Sequence, residues 1–181
     1  MWLSTQTRPD ISNAVGAMAR YCAASERVHW RAALGILGYV GRTSSFGITF
    51  ERGSGGGLHL QALADADYAS KAADTRSVSG GLMCGGACVR GFSRTQKCVT
   101  LSTTEAEYVA LGDGATGALF FRQVWRFMLP DVGMPCIPVF EDNGGAVQLA
   151  QNPMAMSNSK HVNVRRHFLR VLVGGRFRSF T

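Results

Sequence analysis

The sequence has little of what marks a secreted or membrane protein. Its five cysteines are odd in number and scattered, and only Cys84 and Cys88 lie close together. This pattern is typical of free thiols in a reducing compartment and offers no second pair to complete a disulfide framework or a zinc site. No apolar run approaches the roughly 20 residues that span a bilayer, and the first residues lack the apolar core of a signal peptide. We therefore expect a soluble intracellular protein, in a cytoplasmic particle or in the nucleus, with no membrane partner.

Acidic residues and lysine are also scarce. Twelve acidic residues stand against 19 basic ones, which gives a net charge of +7, and the isoelectric point is near 9.6. Only Lys71, Lys97 and Lys160 among the basic residues are lysines. Because arginine pairs bidentately with phosphate and stacks on bases, its excess favours a nucleic-acid partner. A basic surface that only keeps the protein soluble is the alternative.

The N-terminal quarter predicts two short helices. Residues 8–21 and 29–40 carry apolar side chains at helical spacing, and Gly41 ends the second segment. Two helices of this size have too little apolar surface for a core of their own. Residues 1–45 should therefore pack on something C-terminal to them or on a part of the protein outside this sequence.

The remaining residues alternate between strand and helix patterns. We predict strands at 47–51, 58–63, 80–84, 87–93 and 137–140, and helices at 102–128, 145–151 and about 162–173. Ser102 and Glu105 form a capping box at the start of the longest helix. Residues 53–57, rich in glycine, fit either a hairpin tip or a flexible linker. This order predicts a mixed α/β domain with a central sheet, followed by a loose tail at 176–181.

Half of the acidic residues fall into three close pairs at predicted junctions. The pairs are Asp65 with Asp67, Glu105 with Glu107, and Glu141 with Asp142. Side chains at sheet ends and helix starts can converge on one crevice. Carboxylates crowded together in a basic protein repel each other unless a cation lies among them. Mg²⁺ prefers such oxygen ligands, and two ions about 3.5–4 Å apart can activate water for phosphodiester cleavage.

Each pair also has an ordinary structural interpretation. Glu105 can stabilise a helix N-terminus through the helix dipole, and this explanation accounts for Glu107 less completely. Asp65 and Asp67 can be turn residues, and Asp142 can cap the helix that follows it. One pair alone would be weak evidence, but three pairs at these junctions together predict a metal site.

Eight short motifs follow one another between about residues 7 and 170. They are Thr7-Arg8-Pro9-Asp10-Ile11, His29-Trp30, Asp65-Ala66-Asp67-Tyr68-Ala69, Arg76-Ser77-Val78-Ser79-Gly80, Leu101-Ser102-Thr103-Thr104-Glu105-Ala106-Glu107-Tyr108, Asp142-Asn143, Asn152-Pro153 and Lys160-His161-Val162. In this order they strongly resemble the C-terminal region of Ty1/copia-type retrotransposon Pol polyproteins.

The resemblance implies that residues 1–45 are the tail (thumb or connection) of a reverse transcriptase and that residues 46–175 are a ribonuclease H-like domain. The implied fold is a mixed central sheet flanked by helices and preceded by two short helices. It also implies that Asp65, Glu107 and Asp142 bind two Mg²⁺ ions, or Mn²⁺, and catalyse cleavage of the RNA strand of an RNA–DNA hybrid. The Tyr-x-Asp-Asp signature of the polymerase site is absent from the sequence, so DNA synthesis would belong to other parts of the polyprotein.

This sequence departs from the family pattern at Asn163, where an aspartate is expected as the fourth acidic position. An amide keeps the shape but removes a charge, so metal affinity and water activation should both fall. Neither Asp74 nor Asp113 is an obvious substitute. A catalytically decayed fragment that only binds nucleic acid or acts as a scaffold is therefore the alternative to an active nuclease, and another nuclease branch such as an integrase is disfavoured. We expect nucleic-acid contacts near Arg76, Ser102, Thr103 and Lys160.

Overall fold

The computed structural model describes residues 2–50, 59–70 and 75–151, together with the backbone of residues 177–179. In chain order the elements are α1 (Trp2–Gln6), a 3-10 turn (Pro9–Ile11), α2 (Ser12–Ala19), α3 (Arg27–Arg42), β1 (Leu60–Asp67), β2 (Val78–Gly85), β3 (Cys88–Thr95), α4 (Thr103–Met128), β4 (Val139–Glu141), α5 (Gly144–Gln151) and β5 (Phe177–Ser179). Among the described helices, none combines the length and the apolar character needed to cross a membrane.

The strands form one mixed sheet in the order β3-β2-β1-β4-β5. β1, β2 and β3 are an antiparallel meander, whereas β4 runs parallel to β1 and β5 runs parallel to β4. The long helix α4 connects the meander to the parallel half of the sheet. Helices flank this sheet and two short helices, α2 and α3, precede it, so the fold class that the sequence implies is confirmed.

Helix α4 packs on the side of the sheet that carries the smallest side chains of β1. Ala62, Ala64 and Ala66 alternate along β1 and are buried, and their size allows the helix to approach closely. A Cβ atom at Gly114 of α4 would lie only 3.3 Å from the Cβ of Ala64. Tyr108 of α4 is buried in the core cluster against this face. The close approach brings the first two turns of α4 beside the C-terminal end of β1.

A network of polar contacts holds the segments of the N-terminal unit together. The Arg8 guanidinium is buried and pairs with Asp10 at 2.8 Å, and it also donates to the Thr43 hydroxyl at 2.7 Å. The Tyr39 hydroxyl donates to Asp10 at 3.0 Å. Helix α2 contacts β3, which confirms that this unit packs on elements C-terminal to it.

One face of α3 has no partner among the described residues. Trp30, Leu34 and Leu37 lie one helical turn apart and are between 47% and 64% exposed. The sequence pattern predicts this apolar face, and the described part of the chain leaves it exposed.

The structure differs from the sequence expectations at three places. Residues 47–50 belong to no strand, and β1 continues beyond the predicted end at residue 63 to Asp67. Residues 177–179 pair with β4 as β5, where a loose tail was expected, because the open edge of β4 offers backbone partners that no local pattern reveals. The predicted helix at 162–173 and the glycine-rich segment 53–57 lie outside the described residues.

Candidate metal centre

Three carboxylates from three elements converge at one end of the sheet. Asp65 lies in β1, Glu107 in the second turn of α4, and Asp142 directly after β4. One carboxylate oxygen from each lies within 4.8 Å of the other two. Asp65 and Asp142 are exposed to solvent, whereas Glu107 is 9% exposed. The structure therefore brings together the three residues that the family resemblance assigns to the site.

The parallel pairing of β1 with β4 explains why the two aspartates meet. Ala62 pairs with Val139 and Leu63 with Phe140, and counting forward along both strands places Asp65 level with Asp142. Asp67, two residues further along β1, lies outside this cluster of described residues.

The surroundings of Glu107 disfavour the charged form of its carboxyl group. Burial, followed by the negative charges of Asp65 and Asp142, raises the pKa of Glu107 to about 7. Its Oε2 atom is buried and receives no hydrogen bond from a donor group of the described chain. A cation among the three carboxylates would reduce their mutual repulsion and would give the Oε2 atom a partner.

A fourth carboxyl group, Glu141, lies behind the cluster and was not assigned a role from the sequence. It is 0% exposed, and burial followed by the charge of Glu107 raises its pKa to about 9. Its Oε1 accepts a hydrogen bond from the backbone N–H of Asn143 at 3.3 Å. Its Oε2 receives no bond from a donor group of the described chain.

A buried polar network fixes the start of α4 on the sheet. The Gln96 side chain donates to the Ser79 hydroxyl at 3.0 Å and to the carbonyl of Ala106 at 2.9 Å. Ser77 and Thr100 share a further buried hydroxyl bond of 2.9 Å. Since Ala106 precedes Glu107, Gln96 restrains the turn that carries the buried carboxylate. No local pattern marks Gln96, because its partners are 17 and 10 residues away.

The first turn of α4 has the Ser102 cap that the sequence predicts, but the reciprocal bond of the predicted capping box goes to a different backbone N–H. The Ser102 hydroxyl accepts the N–H of Glu105 at 3.1 Å. The Glu105 carboxylate accepts the N–H of Leu101 at 2.7 Å, one residue before the cap itself. Glu105 therefore serves the helix N-terminus, as its position indicates, and lies outside the cluster.

A groove of about 460 Å³ runs beside Asp65 and Asp142. Its floor is formed by β1, β2 and β3, and Pro9, Ser12 and Asn13 of the N-terminal unit form one wall. Its described lining holds four aspartates and no lysine or arginine. The charge at this end of the groove therefore suits a metal cation better than a bare phosphate.

The structure describes some of the other residues that the sequence analysis considered. Arg76, Ser102 and Thr103 are exposed, with Arg76 on the segment that leads into β2 and the other two at the start of α4. Asp113 pairs with Arg94 at 2.8 Å and is not in the cluster. Asp74, Lys160 and Asn163 lie outside the described residues.

The chemistry of the donor set fits a hard divalent cation. Three carboxylates at this spacing can hold such an ion while leaving positions for water and for a substrate oxygen. The exposure of Asp65 and Asp142 leaves the site open to a large substrate, whereas buried Glu107 anchors it to the core.

The chain is 34% identical over 176 residues to the retrovirus-related Pol polyprotein from transposon TNT 1-94 of Nicotiana tabacum, which covers 96% of this chain and 13% of that protein. It is 32% identical over 165 residues to the Pol polyprotein from transposon RE2 of Arabidopsis thaliana, covering 91% of this chain and 11% of that protein. It thus spans a small part of these relatives. No family model matches the sequence.

A shorter relative is the secreted RxLR effector protein 161 of Plasmopara viticola. The chain is 36% identical to it over 121 residues, which is 66% of this chain and 84% of that protein. Among solved structures, the chain is similar to ribonuclease H1 from the archaeon Halobacterium salinarum NRC-1. That similarity has a TM-score of 0.45 and 19% identity, and it covers 67% of this chain and 83% of the other.

Proposed function

Because the chain belongs to the family of retrovirus-related Pol polyproteins found in plant transposons, we propose that it is the ribonuclease H part of such a polyprotein. Its activity is the metal-dependent hydrolysis of the RNA strand of an RNA–DNA hybrid. The observation that carries this proposal is the convergence of Asp65, Glu107 and Asp142 within 4.8 Å of one another.

The three carboxylates have distinct tasks in this proposal. Asp65 and Asp142, both exposed, hold the metal where a phosphodiester can reach it, and Glu107 completes the ligand set from the buried side. Bound Mg²⁺, expected as two ions and replaceable by Mn²⁺, supplies a water of lowered pKa and stabilises the leaving oxygen. The level placement of Asp65 and Asp142 on parallel strands keeps their separation fixed during turnover.

The substrate is held by groups of two kinds. Arginines bind phosphates and set the register of the hybrid, whereas uncharged donors recognise the 2′-hydroxyl groups that distinguish RNA from DNA. Arg76 and Lys160 are candidates for the first task, and Ser102 and Thr103 for the second. The rest of the polyprotein is the expected protein partner, in a cytoplasmic particle or in the nucleus.

A second function is motivated by Asn163. If the amide at this position removes a required ligand, the chain is a decayed copy that still binds hybrids or acts as a scaffold without cleaving them. This alternative predicts binding without cleavage in either Mg²⁺ or Mn²⁺.

The deciding experiment measures cleavage of an end-labelled RNA–DNA hybrid with Mg²⁺. We expect the wild-type protein to cut, the Asp142→Asn variant to lose cutting, and the matched Asp113→Asn variant to retain it, because Asp113 lies outside the cluster. Folding of each variant is checked by circular dichroism.

Two results would change the assignment. Absence of cutting by folded wild type, with recovery in Asn163→Asp, identifies a decayed nuclease whose missing ligand is residue 163. Absence of cutting in wild type and in Asn163→Asp, with hybrid binding retained, identifies the binding or scaffolding function.

A further inference from the structure

Two cysteines lie opposite each other at the end of the β2–β3 hairpin. In the pairing of these strands Cys84 is directly opposite Cys88, and both thiols are free and half-buried. Residues directly opposite each other in antiparallel strands have Cα atoms about 4.5–5.5 Å apart and side chains on the same face of the sheet. A disulfide needs Cα atoms about 4.4–6.8 Å apart. The register therefore places the two thiols where a disulfide can form with little movement of the backbone.

The backbone pairing is interrupted directly beside these cysteines. Met83 is opposite Arg90, and the next pair is Cys84 with Cys88, so Val89 is left without a residue opposite it. Such a bulge disrupts the ladder of backbone hydrogen bonds. β3 also lies at the edge of the described sheet. A covalent bond between the two thiols would restrain the hairpin at the point where its backbone pairing is interrupted.

This end of the hairpin faces the N-terminal unit. Cys88 and Arg8 line the same recess, which has a volume of about 600 Å³. The helices α1 and α2 and the 3-10 turn all contact β3. Pro9 packs closely on this strand, because a Cβ atom at Gly91 would lie only 2.8 Å from the Cβ of Pro9. A restraint on β3 therefore acts on the strand against which the N-terminal unit packs.

The cysteine pair is separate from the metal centre. On its other side Cys84 pairs with Gln61 of β1, which precedes Asp65 by four residues, or about 13 Å along an extended strand. A reaction at the thiols therefore leaves the three carboxylates untouched, and the inference drawn from the cysteines is independent of the proposed function.

We propose that Cys84 and Cys88 are a site of reversible disulfide formation, which stabilises the hairpin and the packing of the N-terminal unit when the surrounding thiol pool becomes oxidised. The oxidant is a small disulfide such as glutathione disulfide. The thiolate of one cysteine attacks it, which forms a mixed disulfide and releases one glutathione. The second cysteine attacks the mixed disulfide and releases the other glutathione. Two protein thiols are thus oxidised, one small disulfide is reduced, and the two thiol protons end on the two glutathione molecules.

The basis of this site is proximity and not an activated thiol. Burial raises the pKa of the Cys84 thiol, and burial followed by the neighbouring Cys84 raises the pKa of the Cys88 thiol. Because only the thiolate attacks a disulfide, the first step is slow. The second step is intramolecular, so a mixed disulfide at either cysteine closes to the intrachain form before a second glutathione adds.

The test oxidises the folded full chain with glutathione disulfide and identifies the products by mass. Trypsin cleaves after Arg76 and Arg90 and leaves both cysteines in the peptide 77–90, whereas the other three cysteines fall in other peptides. An intrachain disulfide lowers the mass of this peptide by two hydrogen atoms, whereas a mixed disulfide adds a glutathione.

Three variants accompany the wild type. Cys84→Ser and Cys88→Ser each remove one member of the pair, and Cys98→Ser removes a half-buried cysteine outside it as the matched control. For each protein, reduced and oxidised, we measure the melting temperature, the rate of proteolysis of the N-terminal unit, and Mg²⁺ binding by calorimetry.

We expect folded wild type and Cys98→Ser to form the intrachain disulfide in a larger share than the same chains in urea. Oxidation should raise their melting temperature by roughly 4–8 °C, the effect expected when a loop of this size is closed. It should also slow proteolysis of the N-terminal unit, and dithiothreitol should reverse both effects. Neither effect should occur in Cys84→Ser or Cys88→Ser, and Mg²⁺ binding should not change.

Three results would contradict the proposal. Mixed disulfides persisting at both cysteines of the folded chain would show that the thiols do not reach each other. An equal share of intrachain disulfide in urea would show that short spacing in the sequence, and not the fold, forms the bond. An unchanged or lower melting temperature of the oxidised chain would show that the bond does not stabilise the hairpin. If the two pair variants fail to fold, the masses and melting temperatures of wild type and Cys98→Ser still decide the question.

Discussion

At the residue scale, neighbouring acidic side chains have opposite environments. Asp142 is exposed and belongs to the group of three, whereas Glu141 beside it is fully buried. Asp65 and Glu107 likewise differ in exposure although their oxygens lie close together. Environment, and not residue type, therefore separates the groups that can face a substrate from those that support them.

The raised pKa values of Glu107 and Glu141 predict how the metal-free protein responds to pH. Both groups are protonated more readily in the folded state, near 7 and 9, than in the unfolded state, where a glutamate titrates near its ordinary value of about 4.3. Between these values the folded state binds more protons, so the free energy of unfolding decreases as pH rises. We expect the melting temperature in EDTA to fall between about pH 5 and pH 9.

The Glu141→Gln variant is the matched control for this pH dependence. Its amide does not titrate, so its melting temperature should fall less steeply over the same range. Mg²⁺ should also reduce the wild-type slope, because the cation favours the ionised form of Glu107. A wild-type slope equal to that of Glu141→Gln would contradict the assignment of a raised pKa to Glu141.

At the scale of elements, α4 links the core to the site. Its middle packs on the alanines of β1, and its second turn, which follows the capped first turn, presents Glu107. The cap, the length of the helix and its end before Pro130 are visible in the sequence. The distance between the helix and the sheet is not visible in the sequence, because it depends on the contact between Gly114 and Ala64.

Removal of the α4 cap should destabilise the protein moderately. In Ser102→Ala the N–H of Glu105 loses its side-chain acceptor, and losses of this kind cost about 1 kcal/mol. Thr103→Ala, which also removes an exposed hydroxyl but no cap bond, is the control. Urea denaturation measures both, and an equal loss in the two variants would show that the cap bond is not the cause.

At the scale of the whole molecule, charge is distributed unevenly. The chain carries a net charge of +7, yet the groove beside the cluster is lined by aspartates. In the proposed function, a polyanionic substrate would be attracted by the net positive charge of the chain and would meet the acidic site through a metal. The exposed apolar face of α3, formed by Trp30, Leu34 and Leu37, is a separate feature on the N-terminal unit.

This charge distribution predicts strongly salt-dependent binding of the hybrid. The logarithm of the association constant of the inactive Asp142→Asn variant should fall linearly with the logarithm of salt concentration, with a slope of about one for each phosphate contacted. Arg76→Gln should reduce that slope by about one if Arg76 binds a phosphate. Fluorescence anisotropy measures both, and salt-independent binding would contradict the electrostatic interpretation.

The sequence by itself determined the order of elements from β1 to α5, the capped long helix and the acidic junctions, because hydrophobic period, capping residues and turn residues act over a few positions. Its motifs also identified Asp65, Glu107 and Asp142 before any geometry was known. Only the tertiary structure decided that β5 extends the sheet, that Gln96 ties β2 to α4, and that Glu141 is buried behind Glu107. These features depend on strand register and on partners many residues apart, and no local pattern in the chain encodes them.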